Sequence, residues 1–193
     1  VPWTAKNLLE LKNAKRVLVD SNVLEYSWVH AQAGQAVLWS PQNDEGNMTW
    51  STVEDITFQR NLVRHTAMTF HVRGWGWPGQ TQQSKRKLNR NNIFDDIDWI
   101  KWGGSSKARN ILIDAGSDSD HWEHNTFNNT GSERGILTAD HCPHSNLVFR
   151  DNIIFEGRGV LASGYSSGGA SLDACFPSHI WSHNILIGGS SGF

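Results

Sequence analysis

His71 and Arg73 stand two residues apart in the run Thr69-Phe70-His71-Val72-Arg73. In an extended segment that spacing puts both side chains on one face. An imidazole beside a guanidinium can take a proton next to a carboxylate while neutralising that carboxylate. Lys12 is a further cation of suitable type, and Glu10, Asp114 and Asp140 are the carboxylates of comparable short runs. Such carboxylates suit a calcium ion, or a paired acid and base at a glycosidic bond. Calcium is the one cofactor that this set allows.

Other constellations are weaker. Asp114, Asp118 and Asp120 form one acidic cluster, and Asp95, Asp96 and Asp98 another. Neither carries the glycine and terminal glutamate of a helix-loop-helix calcium loop, and both read as solvated turns. Cys142 with His124, His141 and His144 could form a metal site or a thiol–imidazole pair, but neighbours in an extended strand point to opposite faces, so few of them can converge. Gly164-Tyr165-Ser166-Ser167-Gly168 matches a nucleophile-elbow pattern, making Ser166 a minor serine-hydrolase candidate. The chain has 10 Trp. Trp75, Trp77, Trp99 and Trp102 sit in Gly-containing loops, where a flat indole can cover the apolar face of a sugar ring.

The elements that must position these side chains repeat. An apolar residue stands three places before an Asn, and apolar residues follow it, in Val19…Asn22, Phe58…Asn61, Trp122…Asn125, Phe149…Asn152 and Trp181…Asn184. Asn92-Ile93-Phe94 is a sixth, weaker copy. Successive Asn are 39, 31, 33, 27 and 32 residues apart. Periods of this size indicate a solenoid, a propeller or an array. The apolar runs are short, alternating and β-branched, as in Asp55-Ile56-Thr57-Phe58, and Gly and Asn punctuate them, which favours strands. Each unit reads as three strands, the third set being 8–13, 36–40, 69–74, 110–115, 135–140 and 159–164. The Asn residues are expected to stack from coil to coil as an amide ladder and to take up the left-handed backbone of the corner themselves. Trp122 and Trp181 hold the core position of the repeat.

With His124-Asn125-Thr126-Phe127, Phe149-Arg150-Asp151-Asn152-Ile153-Ile154-Phe155 and Asn91-Asn92-Ile93-Phe94, nearly the whole chain resembles the right-handed parallel β-helix repeat proteins of the pectate-lyase-like superfamily, in particular bacterial members of unassigned activity. The resemblance implies an all-β, right-handed parallel β-helix of about six coils in one domain, 1–193, with irregular loops. The Trp-Ile-Asp-His and Arg-x-x-Pro-x-x-Arg runs of pectate-cleaving members are missing. In glycan-active members the substrate lies along one sheet between bordering loops. By that resemblance the third strands would form the groove. Alternation then sends outward Glu10 and Lys12, Leu38 and Ser40, His71 and Arg73, Leu112 and Asp114, Thr138 and Asp140, and Ala162 and Gly164. His71, Arg73, Asp114 and Asp140 become the catalytic candidates. Glu10, Lys12, Trp75, Trp77, Trp99 and Trp102 become the candidates for holding substrate.

Bulk properties bound the reading. A net charge of −2 gives no footprint for nucleic acid, and no apolar run is long enough to span a bilayer. The chain opens on Val1-Pro2-Trp3, as a mature chain or a segment of a longer one would. Cys142 and Cys175 allow one disulfide. The expected function is that of an extracellular, cell-surface or periplasmic domain that contacts polysaccharide, with lyase-type or glycosidase-type chemistry. A non-catalytic carbohydrate-binding or adhesin repeat is the alternative. An enzyme would show a cation and a His or carboxylate converging in a groove with a shifted pKa.

Overall fold

A computed structural model describes residues 4, 6–76, 80–103, 110–131, 135–155, 160–162 and 167–188. Among the described residues the chain winds through six coils of three strands each. The first coil is β1 (Leu9–Leu11), β2 (Ala14–Asp20) and β3 (Val23–Ser27). The second is β4 (Gln35–Trp39), β5 (Val53–Gln59) and β6 (Leu62–Thr66). The third is β7 (Met68–Arg73), β8 (Lys85–Arg90) and β9 (Ile93–Ile97). The fourth is β10 (Ile111–Asp114), β11 (Asp118–Glu123) and β12 (Thr126–Asn129). The fifth is β13 (Leu137–Asp140), β14 (Leu147–Arg150) and β15 (Ile153–Phe155). The sixth is β16 (Val160–Ala162), β17 (His179–Ser182) and β18 (Ile185–Ile187), with a short helix α1 (Gly169–Cys175) between its first two strands.

Equivalent strands pair in parallel into three six-stranded sheets: β1-β4-β7-β10-β13-β16, β2-β5-β8-β11-β14-β17 and β3-β6-β9-β12-β15-β18. This is the expected right-handed parallel β-helix. The interior is a stack of apolar columns. Val37, Trp39, Phe70, Val72, Ile111 and Ile113 are fully buried on the first sheet, as are Phe58, Trp122 and Phe149 on the second. Phe94 stacks on Phe127 at 4.7 Å and Phe149 on Trp181 at 4.3 Å, which places Trp122 and Trp181 in the core column as expected.

The asparagine column is continuous. Each Oδ1 accepts the backbone N–H and the Nδ2 of the Asn one coil before it, from Asn22 through Asn61, Asn92, Asn125 and Asn152 to Asn184, at 2.9–3.3 Å. Each Nδ2 from Asn61 onward also donates to a backbone carbonyl of the preceding coil, at 2.9–3.0 Å. The left-handed residue, however, is the one before each Asn. Ser21, Arg60, Asn91, His124, Asp151 and His183 have φ between 54° and 59°. The ladder fixes the Asn in place, so the reversal of direction falls on its neighbour whatever its side chain.

A second column of left-handed residues interrupts the second sheet at Arg16, Asp55, Arg86, Ser119 and Asn146. It is a bulge-like kink with no residue inserted, repeated in register, since Lys15 pairs with Glu54 and Val17 with Ile56 on either side of it. The left-handed residue reverses the alternation. Lys85 therefore reaches outward toward Glu54, whereas Lys87 points into the core and is 1% exposed.

Candidate functional site

The outer face of the first sheet takes its composition from alternation. Inward residues of β4, β7, β10 and β13 are apolar, and the residues between them face out. Backbone pairing aligns Glu10, Leu38, His71, Leu112 and Thr138 in one column. Arg73, Asp114 and Asp140 align in the next. The expected register holds through five coils. In the sixth, Leu161 rather than Ala162 pairs with Thr138, one place from the expected alignment, because Ala162 pairs with the core residue Ala139. Gly164 lies outside the described residues.

Leu38, Leu112 and Thr138 in the first of these columns are almost fully covered, at 7%, 6% and 3% exposure, and the concave part of this face lies on the first three coils. A groove of about 340 Å³ lies there, lined by Glu10, Lys12, Ser40, His71 and Arg73, with Gln32, Gln35 and Gln42 on its margins. Glu10 and Lys12 face each other at 3.7 Å across its first coil.

At the fourth coil, Asp114 draws three cationic or protonatable groups together. His71 Nε2 lies 3.3 Å and Arg73 Nε 3.5 Å from Asp114 Oδ2. His141 Nδ1 lies 2.7 Å from Asp114 Oδ1. Burial alone would raise the pKa of Asp114. The hydrogen bonds from His71 and His141 and the charge of Arg73 outweigh that and hold it at about 2. An ionised carboxylate only accepts, so His141 donates from Nδ1 and His71 from Nε2. The His141 side chain is 80% exposed. Its Nε2 is the atom left to carry a lone pair when the ring is neutral. A carboxylate holding one imidazole nitrogen so that the other can accept a proton is a general-base arrangement.

The sequence offered His141 only as a neighbour of Cys142, not as a partner of Asp114. Simple alternation takes it off the face that carries Asp140. Its φ of 51° turns the chain at that point, as φ 52° does at Ala115 one coil earlier. Cys142 and Cys175 form a disulfide, so Cys142 is neither a thiol nucleophile nor a metal ligand. The bridge ties the turn after His141 to the end of α1, where His144 N–H also donates to Cys175 O at 2.7 Å. His144 itself is buried at 2% exposure and its Nδ1 accepts the Ser117 N–H.

Asp140 stands beside Asp114 in the adjacent strand, so the two carboxylates are neighbours along one column. Trp75 is 44% exposed just past β7. Its indole lies over Gly116, where an added Cβ would come within 3.1 Å of Nε1 and where φ is +66°. Trp102 takes a different place. Its Nε1 donates to Asp96 O at 3.1 Å, and its ring packs at 5.8 Å from Tyr26 and 5.3 Å from His65 on the third sheet. Trp99 lies half-buried in the same turn. Trp77 and Ser166 lie outside the described residues.

The acidic clusters are not solvated turns throughout. Asp120 is buried at 2% exposure against Lys87, whose Nζ lies 3.1 Å away and also donates to Ser84 and Ser117. Asp118 opens β11 and accepts from Ser119, Ser145 and Asn146. Asp96 is held by His65, Lys101 and Thr130. Only Asp98 does turn work, accepting the N–H groups of Ile100 and Lys101 at 2.9 Å. Among the described residues, no group of three or more His, Cys, Asp or Glu is disposed to hold a metal ion.

Comparison with protein-family models, with curated proteins and with solved structures finds no match to this chain, and its function is argued from its own geometry.

Proposed function

We propose that this chain is an extracellular β-helix domain of the pectate-lyase-like kind that binds an acidic polysaccharide along its first sheet and cleaves it by elimination. The observation that carries the reading is the convergence of His71, Arg73 and His141 on Asp114 at the end of a groove lined by Glu10, Lys12 and Ser40. Arg73 neutralises the uronate carboxylate and thereby acidifies the carbon-bound proton beside it. His141 Nε2 removes that proton. The electron pair left behind forms a carbon–carbon double bond as the neighbouring glycosidic C–O bond breaks, and water protonates the leaving oxygen. Asp114 stays ionised and holds both imidazoles. Lys12 and Trp75 bind flanking sugar units.

Elimination is preferred to glycoside hydrolysis for one reason. A hydrolase needs a carboxyl whose pKa is raised so that it can protonate the leaving group. Asp114 is shifted the other way. The disulfide supports placement outside the reducing cytosol.

Screening the purified chain against polyuronates and neutral glucans tests this reading. Ultraviolet-absorbing unsaturated product should form from a polyuronate, and Arg73→Ala should abolish it. Reducing ends without unsaturated product would assign a hydrolase instead. Glycan binding without any product, in a correctly folded chain, would assign a non-catalytic binding module.

A further inference from the structure

An aliphatic stripe runs the length of the solenoid on the outer face of the third sheet. It takes the first strand position after each ladder asparagine, Val23, Leu62, Ile93, Ile153 and Ile185, and is broken once, by Thr126 in the fourth coil. Val23, Ile93 and Ile185 are 59%, 51% and 55% exposed. At one strand spacing per coil the stripe is about 24 Å long. A sheet face open to water ordinarily carries polar side chains. Single exposed apolar residues need no account, whereas a contiguous column of them marks an interaction surface. Polar residues flank most of it. The corner residues lie on one side; on the other, Glu25, Arg64, Asp95 and Asn128 are polar, and Phe155 and Ile187 of the last two coils continue the apolar surface.

We propose that this stripe is the interface of an antiparallel homodimer, the first coil of one copy facing the sixth coil of the other. The charges name the occupant. In that order the corner column sets Arg60 of the second coil against Asp151 of the fifth. The column just before it sets Arg90 of the third coil against Glu123 of the fourth, and Gln59 against Arg150. The remaining rows of these two columns place Ser21 against His183, Asn91 against His124 and Asp20 against Ser182. No row opposes like charges. Two copies laid coil upon like coil by a two-fold along the stripe would instead turn the corner column of one onto the Glu25, Arg64 and Asp95 column of the other and set Arg60 against Arg64. The matched groups also have partners within their own chain, Arg60 with Asp20 and Glu123 with Arg150, as befits charges at the rim of an interface. A two-fold interface must be self-complementary, and this surface is so in one orientation.

Sedimentation equilibrium of the full chain tests the proposal. A concentration-dependent dimer is expected. Ile93→Glu, at the middle of the stripe, should give monomers whose unfolding midpoint matches that of the native chain diluted until it is monomeric. Ile93→Thr, which copies the native Thr126, should weaken association with even less risk to folding. Arg60→Asp and Asp151→Arg should each weaken the dimer by about tenfold, and the two together should restore it. Monomers at every concentration, or a dimer indifferent to both Ile93 variants, would overturn the proposal. A double charge swap no better than its single components would overturn the antiparallel order.

Discussion

Asp114 shows how one side chain sets the state of its neighbours. Its carboxyl titrates in the folded chain at about 2, below the ordinary 3.8. A depressed carboxyl pKa means that folding favours the ionised form. The associated stability is fully present above about pH 4 and is lost as pH falls from about 4 to about 2. Asp114→Asn should therefore lower stability by about 2 kcal/mol near neutral pH and flatten that part of the acid limb. Denaturant melts taken across the acid range measure both effects. If the elimination chemistry holds, His141→Ala should reduce kcat at least about 100-fold with little change in KM, as removal of a general base does. The pair His71 and Arg73 was legible because no left-handed residue stands between them, so their two-residue spacing keeps both on one face. His141 was hidden because a left-handed residue in the turn reorients it, and nothing in the type or spacing of His141 announces that conformation.

Ladder and kink are the two devices that make these short strands specific. The ladder could be read in advance because Asn is the one residue whose side chain both donates and accepts in this column. Its central members lie at 0–2% exposure, while Asn22 is exposed. Asn92→Ala deprives the Asn61 N–H and Nδ2 of their shared acceptor, and leaves Asn125 Oδ1 without the Asn92 Nδ2. It should cost about 3–5 kcal/mol, against about 1 kcal/mol or less for Asn22→Ala, in the same urea titration. The kink could not be read in advance, since Arg16, Asp55, Arg86, Ser119 and Asn146 share no chemistry. It is a property of the stack and not of any one strand. Its main result is Lys87, a lysine inside the solenoid. Burial pulls its pKa down, and Asp120 opposes that shift. Asp120→Asn leaves that charge without its counterion and should cost about 3–5 kcal/mol. The double variant Lys87→Met with Asp120→Leu should be nearly as stable as the native chain. Chemical denaturation of the two variants side by side decides whether the pair stabilises the stack or only constrains it.

At the scale of the molecule, three continuous sheets explain why fold and function differed so much in legibility. Fold here is a repeated instruction, and six noisy copies of an Asn corner outweigh the noise in each. A site is written once, so nothing averages out the error in placing Trp102 or in overlooking His141. The Cys142–Cys175 bridge closes a segment of 33 residues that runs from the turn beside His141 through β14, β15 and β16 to α1. Replacing both cysteines by serine should lower stability by about 3 kcal/mol. It should also lower turnover, because the bridge anchors the turn that presents His141; thermal melts and initial rates separate the two losses. The amide column carries one more consequence. Every coil is recognised only by the coils above and below it, through a corner that is the same at each level, so nothing in the stack counts its own storeys. A spliced-in turn of chain should be admitted wherever it brings its own asparagine, and refused where it brings leucine, however well the rest of it packs.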